Sequence, residues 1–199
     1  MRPAEPRAPI TAGLRDVVTD RLTLRRLTTD DLDELTVIFA QREMWEFPYG
    51  RGMTPIETEA FLERQNALWC AYGFGGCSAR ERNGGRLIGI IGLSVPTIGA
   101  EPRAPVSVGW RLDPSAWGRG YATEGAAALI DEALTTLRHD RICCITQPEN
   151  VRSVRLAERL GMSFTEAVDV RSDENATSLT AVIYESHAGG RRPRESMTP

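Results

Sequence analysis

Residues 108–128, VGWRLDPSAWGRGYATEGAAA, decide how this chain folds. A strand-like run, 106–112, ends at Asp113-Pro114, because proline cannot extend a ladder. Order resumes as a helix over 123–137, with apolar residues at 126, 129, 130, 133, 134 and 137 forming one stripe. Between them lie Trp117, Gly118, Arg119, Gly120, Tyr121 and Ala122. The first amides of a helix lack intrahelical partners and carry the positive end of its dipole, and glycines allow close backbone approach. The loop is therefore either a tight strand-to-helix turn or a seat for an anion, and its own residues leave both readings open.

Outward from this loop, strand and helix signals alternate. Residues 21–27 carry leucine at 22 and 24 with polar neighbours, the pattern of a half-buried strand. Thr28 and Asp31 open a helix to about residue 40, and Thr54, Pro55 and Glu57 form a capping box for a helix to about residue 70. Residues 77–82 and 86–93 flank Asn83-Gly84-Gly85 as a hairpin. Residues 141–146 read as a strand, 151–160 as a helix closed by Gly161, and 162–168 and 178–184 as two last strands. Residues 96–105 and 171–177 read as loops. The expectation is a mixed α/β (α+β) domain over residues 19–187, with a central, mostly antiparallel sheet of about seven strands and four helices. A flexible arm, 1–18, and a disordered tail, 188–199, should flank it.

Composition narrows the function. Of 199 residues, 41% are hydrophobic and 26% charged, and a formal net charge of -3 supports neither nucleic-acid nor membrane-surface binding. All 24 basic residues are arginine, which excludes Schiff-base lysine chemistry and a P-loop. Cys70, Cys77, Cys143 and Cys144 are spaced neither for a metal nor for a secreted disulfide framework, so they are expected to be reduced thiols, mostly buried. No metal site is expected. Without a leader-like or membrane-spanning apolar run, the expected location is cytoplasmic. A dinucleotide fingerprint also fails: its third glycine position holds Thr123, and the next strand ends in Gln147 rather than an acid.

The stretch 108–128 resembles the coenzyme motif of the GNAT superfamily of N-acetyltransferases. It is most similar to the RimJ/RimL-like branch, whose pattern runs through W-G-x-G-aromatic-A-T-E-A and departs here only at Gly125. A second stretch, Asn150 to Met162 (NVRSVRLAERLGM), is similar to the family's N-x-x-S motif and the glycine that follows its helix. The likeness covers about residues 19–186. It implies a GNAT fold, its sheet splayed between the fourth and fifth strands, here 106–112 and 141–146. It also implies acetyl-CoA as cosubstrate. Pantetheine would meet the backbone of Trp110, Arg111 and Leu112. The pyrophosphate would meet Trp117, Gly118, Gly120, Tyr121, Ala122 and Thr123, with Arg119 supplying the cation. Asn150 and Ser153 would face the pantetheine arm and the sulfur.

The implied reaction is direct attack by a primary amine, either a protein N-terminus or a small molecule, on the thioester in a ternary complex. Two positions depart from the wider family: residues 106–112 hold no carboxylate, and Ala157 stands where a tyrosine acid is common. Ser153 is then the candidate acid, or else an ordinary helix serine. Glu46 and Glu166 are candidate bases, or else solvated surface acids, and a water relay serves equally well; Tyr184 and His187 are weaker options. Trp45, Phe47 and Tyr49 are expected to wall the amine site or to cap the core, with 171–177 as the opposite wall and Asp169, Asp173 and Glu174 as attractors for a cation. A CoA-binding regulatory module without turnover, a transferase of a larger acyl group, and a homodimer all stay open.

Overall fold

The computed structural model describes residues 13–96, 106–171 and 178–190. One sheet of eight strands runs through it: β1 (Val17–Val18), β2 (Leu22–Arg26), β3 (Gly76–Glu81), β4 (Leu87–Ser94), β5 (Ser107–Leu112), β6 (Arg141–Thr146), β7 (Ser163–Arg171) and β8 (Ser178–His187). Their spatial order is β1-β2-β3-β4-β5-β6-β8-β7. Every pairing is antiparallel except β5 with β6. Helices α1 (Leu32–Phe39) and α2 (Pro55–Tyr72) follow β2, while α3 (Tyr121–Thr135) and α4 (Val151–Arg159) follow β5 and β6.

This is the expected architecture with one strand more. The added strand, Val17–Val18, pairs with Leu24 and Thr23 of β2. Leu14 before it is buried, and its amide donates to Gly73 O at 2.8 Å. Residues 13–18 thus carry structure in the stretch assigned to a flexible arm. At the other end, Ala188–Gly190, in the stretch assigned to the tail, forms a short 3-10 turn, anchored by the Ala188 amide on Asp140 O. A two-residue strand offers no alternation for a sequence pattern to catch. The loops at 97–105 and 172–177 lie outside the described residues.

Two cores form because the strands alternate. Leu22 and Leu24 join Ile91, Leu93, Val108 and Leu112 beneath Ala126, Leu129, Ile130 and Ala133 of α3. Leu27, Leu87 and Ile90 pack instead with Leu35, Phe39, Trp45 and Leu62 on the α1–α2 side. In β4 the alternation slips: Ile88 and Ile91 share one core, Leu87 and Ile90 the other. The slip is a β-bulge: the β3–β4 register jumps past Ile88, next to Gly89 at φ +127, where an added Cβ would collide with Arg111 O. Gly125, the one departure from the resembling motif, also lies close on the sheet: an added Cβ would push on the tip of the Ile91 side chain.

Both helix starts on the second face form as the sequence predicts. Glu57 accepts from the Thr54 amide at 2.8 Å, and Arg51 and Thr54 hold its carboxyl down at about 2. Asp31, wholly buried, accepts from the Thr28 amide at 3.0 Å and from Arg25 and Arg80 at 2.7 and 2.8 Å. Removing that carboxylate leaves two guanidinium groups facing a void. Because both arginines keep some solvent contact, Asp31→Ala should cost about 2–3 kcal/mol, read from the urea midpoint at unchanged slope.

The cysteines sort by burial. Cys77, Cys143 and Cys144 are buried, and desolvation pushes each thiol up to about 12, while Cys70 is exposed on α2. Only the thiolate reacts readily. A disulfide thiol reagent at pH 8 should therefore titrate Cys70 alone in the folded chain and all four thiols in guanidinium; rapid reaction of more than one native thiol would contradict this packing.

Candidate active site

The site begins where the sheet stops being a sheet. β5 pairs with β4 along its whole length, from Ser107 against Ser94 to Leu112 against Gly89. β6 pairs with β8 just as fully, from Arg141 against His187 to Thr146 against Val182. Between β5 and β6 the ladder holds a single pair, Ser107 with Cys143, and then the strands part. Two clefts open around the parting, of about 740 and 640 Å³. The larger is lined by Trp110, Leu112, the loop entering α3, and α4; the smaller by Tyr49, Phe61, Val108, Thr146 and Leu179 among others. Phe47, Trp110, Arg111, Asn150 and Ser153 line both, so the clefts meet at these five residues.

The glycine loop forms one wall of the larger cleft. Gly118 (φ +72) and Gly120 (φ +80) both take the left-handed conformation that residues with a Cβ avoid. Gly120 is the N-cap of α3 and has no side chain to spend on the first amides, which are left facing the cleft beside Tyr121, Ala122 and Thr123. The loop is braced from behind. Arg21 donates to Arg119 O at 2.8 Å and to Glu124 Oε2 at 2.6 Å. Burial alone would raise the Glu124 carboxyl, but hydrogen bonds from Thr19 and Arg21 outweigh it and hold it below the usual range. Tyr121 donates its hydroxyl to Glu81 at 2.6 Å, which lowers the Glu81 carboxyl and raises the Tyr121 phenol. The guanidinium groups of Arg21 and Arg119 lie over its ring, at 4.8 and 4.9 Å from the centroid.

Arg119 therefore does not take the place expected of it. It pairs with Glu81 at 3.2 Å and does not line the cleft. Besides Arg111, the arginines at the cleft come from α4: Arg152, Arg155 and Arg159 all line it, and Arg152 stacks 4.5 Å over the Trp117 ring. Sequence reasoning missed them, although their spacing in VRSVRLAER sets all three along one side of a helix. Asn150 caps α4, its Oδ1 accepting from the Ser153 amide at 3.2 Å. Trp117 donates its indole N–H to Leu112 O at 2.6 Å, which ties the loop to the end of β5.

Ser153 stands where the clefts meet, and the Trp110 indole N–H donates to its Oγ at 3.3 Å. An oxygen that accepts there has its own hydrogen free to donate elsewhere. Ala157, in the slot where a tyrosine acid was considered, is wholly buried in the α3-side core. Glu46 is exposed and lines the larger cleft next to Phe47. Glu166, on β7, lines neither cleft, and nor do Tyr184, packed against Phe164, and His187, paired with Glu185. Those three are set aside as bases on position alone.

The aromatic loop divides. Phe47 and Tyr49 line the smaller cleft, but Trp45 is buried in the α1–α2 core against Phe39 and Phe61 and lines neither cleft. It acts from behind, its ring lying 4.2 Å from the Arg111 guanidinium. Arg111 donates through Nη1 to Met44 O and Phe47 O, both at 2.9 Å, and burial lowers its pKa to about 10. Asp169 is exposed, bonded by Thr180 and off the cleft walls; Asp173 and Glu174 lie outside the described residues.

A sheet splayed around one parallel pair, with a glycine-loop helix on one side of the parting, defines a GNAT-type acetyltransferase fold. The family model described as an acetyltransferase (GNAT) domain matches residues 21–163, and the chain belongs to that family. It is 25% identical over 172 residues to the uncharacterized N-acetyltransferase p20 of Bacillus licheniformis, covering 86% of this chain and 94% of that one. Among solved structures it is similar to an acetyltransferase from Agrobacterium tumefaciens str. C58, at 26% identity and TM-score 0.72, over 92% of this chain and 99% of that chain. It shares its fold with RimL, a ribosomal L7/L12 alpha-N-protein acetyltransferase solved with coenzyme A, at 18% identity and TM-score 0.69, over 88% and 98% of the two chains. Among the described residues no helix is long and apolar enough to cross a membrane.

Proposed function

We propose that this protein is an acetyl-CoA-dependent N-acetyltransferase of the RimJ/RimL-like branch, acting on a primary amine by direct attack. One observation carries the reading: two clefts on the two sides of the β5–β6 parting meet at Trp110, Arg111, Asn150 and Ser153. A two-substrate transfer needs such a meeting point, because proximity of the reacting groups accounts for much of the rate.

The larger cleft suits the coenzyme. Its unspent α3 amides and left-handed glycines fit a pyrophosphate, as the helix dipole also favours, and Arg152, Arg155 and Arg159 add charge from the facing helix. Beyond Ser107 no ladder pair joins β5 to β6, which leaves strand-edge backbone for an amide-bearing arm to pair with. Bound there, acetyl-CoA would supply the acyl group as a thioester. Ser153 Oγ, oriented by the Trp110 indole, donates a hydrogen bond to the departing sulfur. Amides of β5 near Arg111 and Leu112 polarise the carbonyl. The amine loses its proton to water that leads toward Glu46, the nominated base that lines a cleft.

Release of free thiol from acetyl-CoA, followed across peptides, amino acids, polyamines and aminoglycosides, tests the reading. Tight CoA binding with no turnover on any amine would favour a regulatory module. Gly120→Asp sets a carboxylate on the proposed pyrophosphate seat and forces a left-handed φ on a residue with a Cβ. CoA affinity by calorimetry should fall by more than about 100-fold, and an unchanged affinity would remove the loop from the site. Ser153→Ala should lower kcat roughly 100-fold while CoA affinity stays within about threefold; equal losses in both would make Ser153 a binding residue.

A further inference from the structure

The acceptor side of the parting has an unusual charge balance. Among the described residues that line the smaller cleft there is no aspartate or glutamate, but there are two arginines, Arg51 and Arg111. Arg51 is engaged by Glu57, at 2.9 and 2.5 Å. Arg111 has no carboxylate partner among the described residues. Its Nη1 hydrogens go to the Met44 and Phe47 carbonyls, and its plane rests on Trp45. That leaves Nε–H and the two Nη2 hydrogens without an acceptor among the described residues, on a guanidinium held rigid from behind and lining both clefts. A half-buried guanidinium without a counter-charge is costly unless something fills the gap.

We infer that the acceptor is a small amine carrying an anion beside the amino group, an α-amino acid with an apolar side chain, whose carboxylate docks on the Nε–Nη2 edge of Arg111. This rests on the transfer reading above and narrows its substrate. The planar fork matches a carboxylate in two parallel hydrogen bonds. The apolar side chain has its place too, since Phe47, Tyr49, Phe61, Val108 and Leu179 line the same cleft. A cation-rich acceptor, such as a polyamine or an aminoglycoside, would bring several charges to a cleft whose described walls offer only positive ones. Lining both clefts, Arg111 is placed to fix the amino group where a thioester arrives, so it is a specificity-determining residue.

The experiment pairs each of several apolar L-amino acids with its carboxamide, in wild type and in Arg111→Gln and Arg111→Lys. Turnover with acetyl-CoA is measured, and separately the calorimetric binding of the N-acetyl amino acids and their amides. The acids should exceed the amides by at least about tenfold in kcat/KM and in product affinity. Arg111→Gln should erase that difference by raising KM for the acids far more than for the amides, and Arg111→Lys should restore part of it. Three results overturn the inference: acids and amides used alike by wild type, acids and amides depressed equally by Arg111→Gln (a strut for the Met44–Phe47 loop), or a better rate with peptides than with free amino acids. Each leaves amine acetylation itself standing. Loss of the transfer reading would show differently, as no thiol release with any amine, and product binding would then still report whether Arg111 selects a carboxylate.

Discussion

Everything in the molecule turns on two neighbouring strands that stop pairing after one bridge. Such a break is usually expensive, since each unpaired backbone group out of water costs about as much as a lost hydrogen bond. Here each strand is satisfied on its outer side, β5 by β4 and β6 by β8, over its full length. The open edges face clefts rather than core. The sheet therefore gives up only the part of the ladder that a ligand's own amides can replace. The bulge at Gly89 sits across from the end of β5, where Arg111 O fills the space of a missing side chain. A bulge adds local twist, so it helps turn β5 away from β6.

The glycine loop depends on a different economy. A left-handed glycine pair is flexible in isolation, and a flexible loop binds an anion poorly because ordering it consumes the gain. The chain fixes it from the far side. Arg21, just before β2, reaches the Arg119 carbonyl and Glu124, Tyr121 reaches Glu81 of β3, and two guanidinium groups lie over the Tyr121 ring. Residues about 100 positions apart along the chain thus set the entry angle of α3. The positive end of that helix is aimed before any ligand arrives.

Much of this was legible in the sequence, and the limits have physical causes. The alternating Leu22 and Leu24, the α3 stripe, the Thr54 capping box and the helix from residue 151 are periodic or local signals, and each forms about where it was read. The turn of Arg119 toward Glu81 could not be read, because side-chain direction in a loop of left-handed glycines follows no period and its partner lies 38 residues earlier. Trp45 went inward while Phe47 stayed at the cleft, a choice made by the space beside Phe39 and Phe61 that no aromatic count reveals. The arginines of α4 had a readable spacing, but a charged face is usually a solvated one, and only the parting of β5 and β6 gives it a cleft to face.

The alternation of β5 joins the two halves of the site. Trp110 packs toward the α3 side and holds Ser153, while Arg111 reaches the α1–α2 side and rests on Trp45. Consecutive residues on one strand thus address opposite faces of the sheet. The strand carries an arginine here and no carboxylate. That exchange need not leave the amine protonated. In a free amino acid the neighbouring carboxylate stabilises the ammonium form; a guanidinium paired with that carboxylate withdraws the stabilisation, and its charge further disfavours a second cation nearby. Bound this way, the acceptor's amine pKa would fall toward neutrality, and water would suffice to carry off the proton. An acceptor held in this way would need no strand carboxylate.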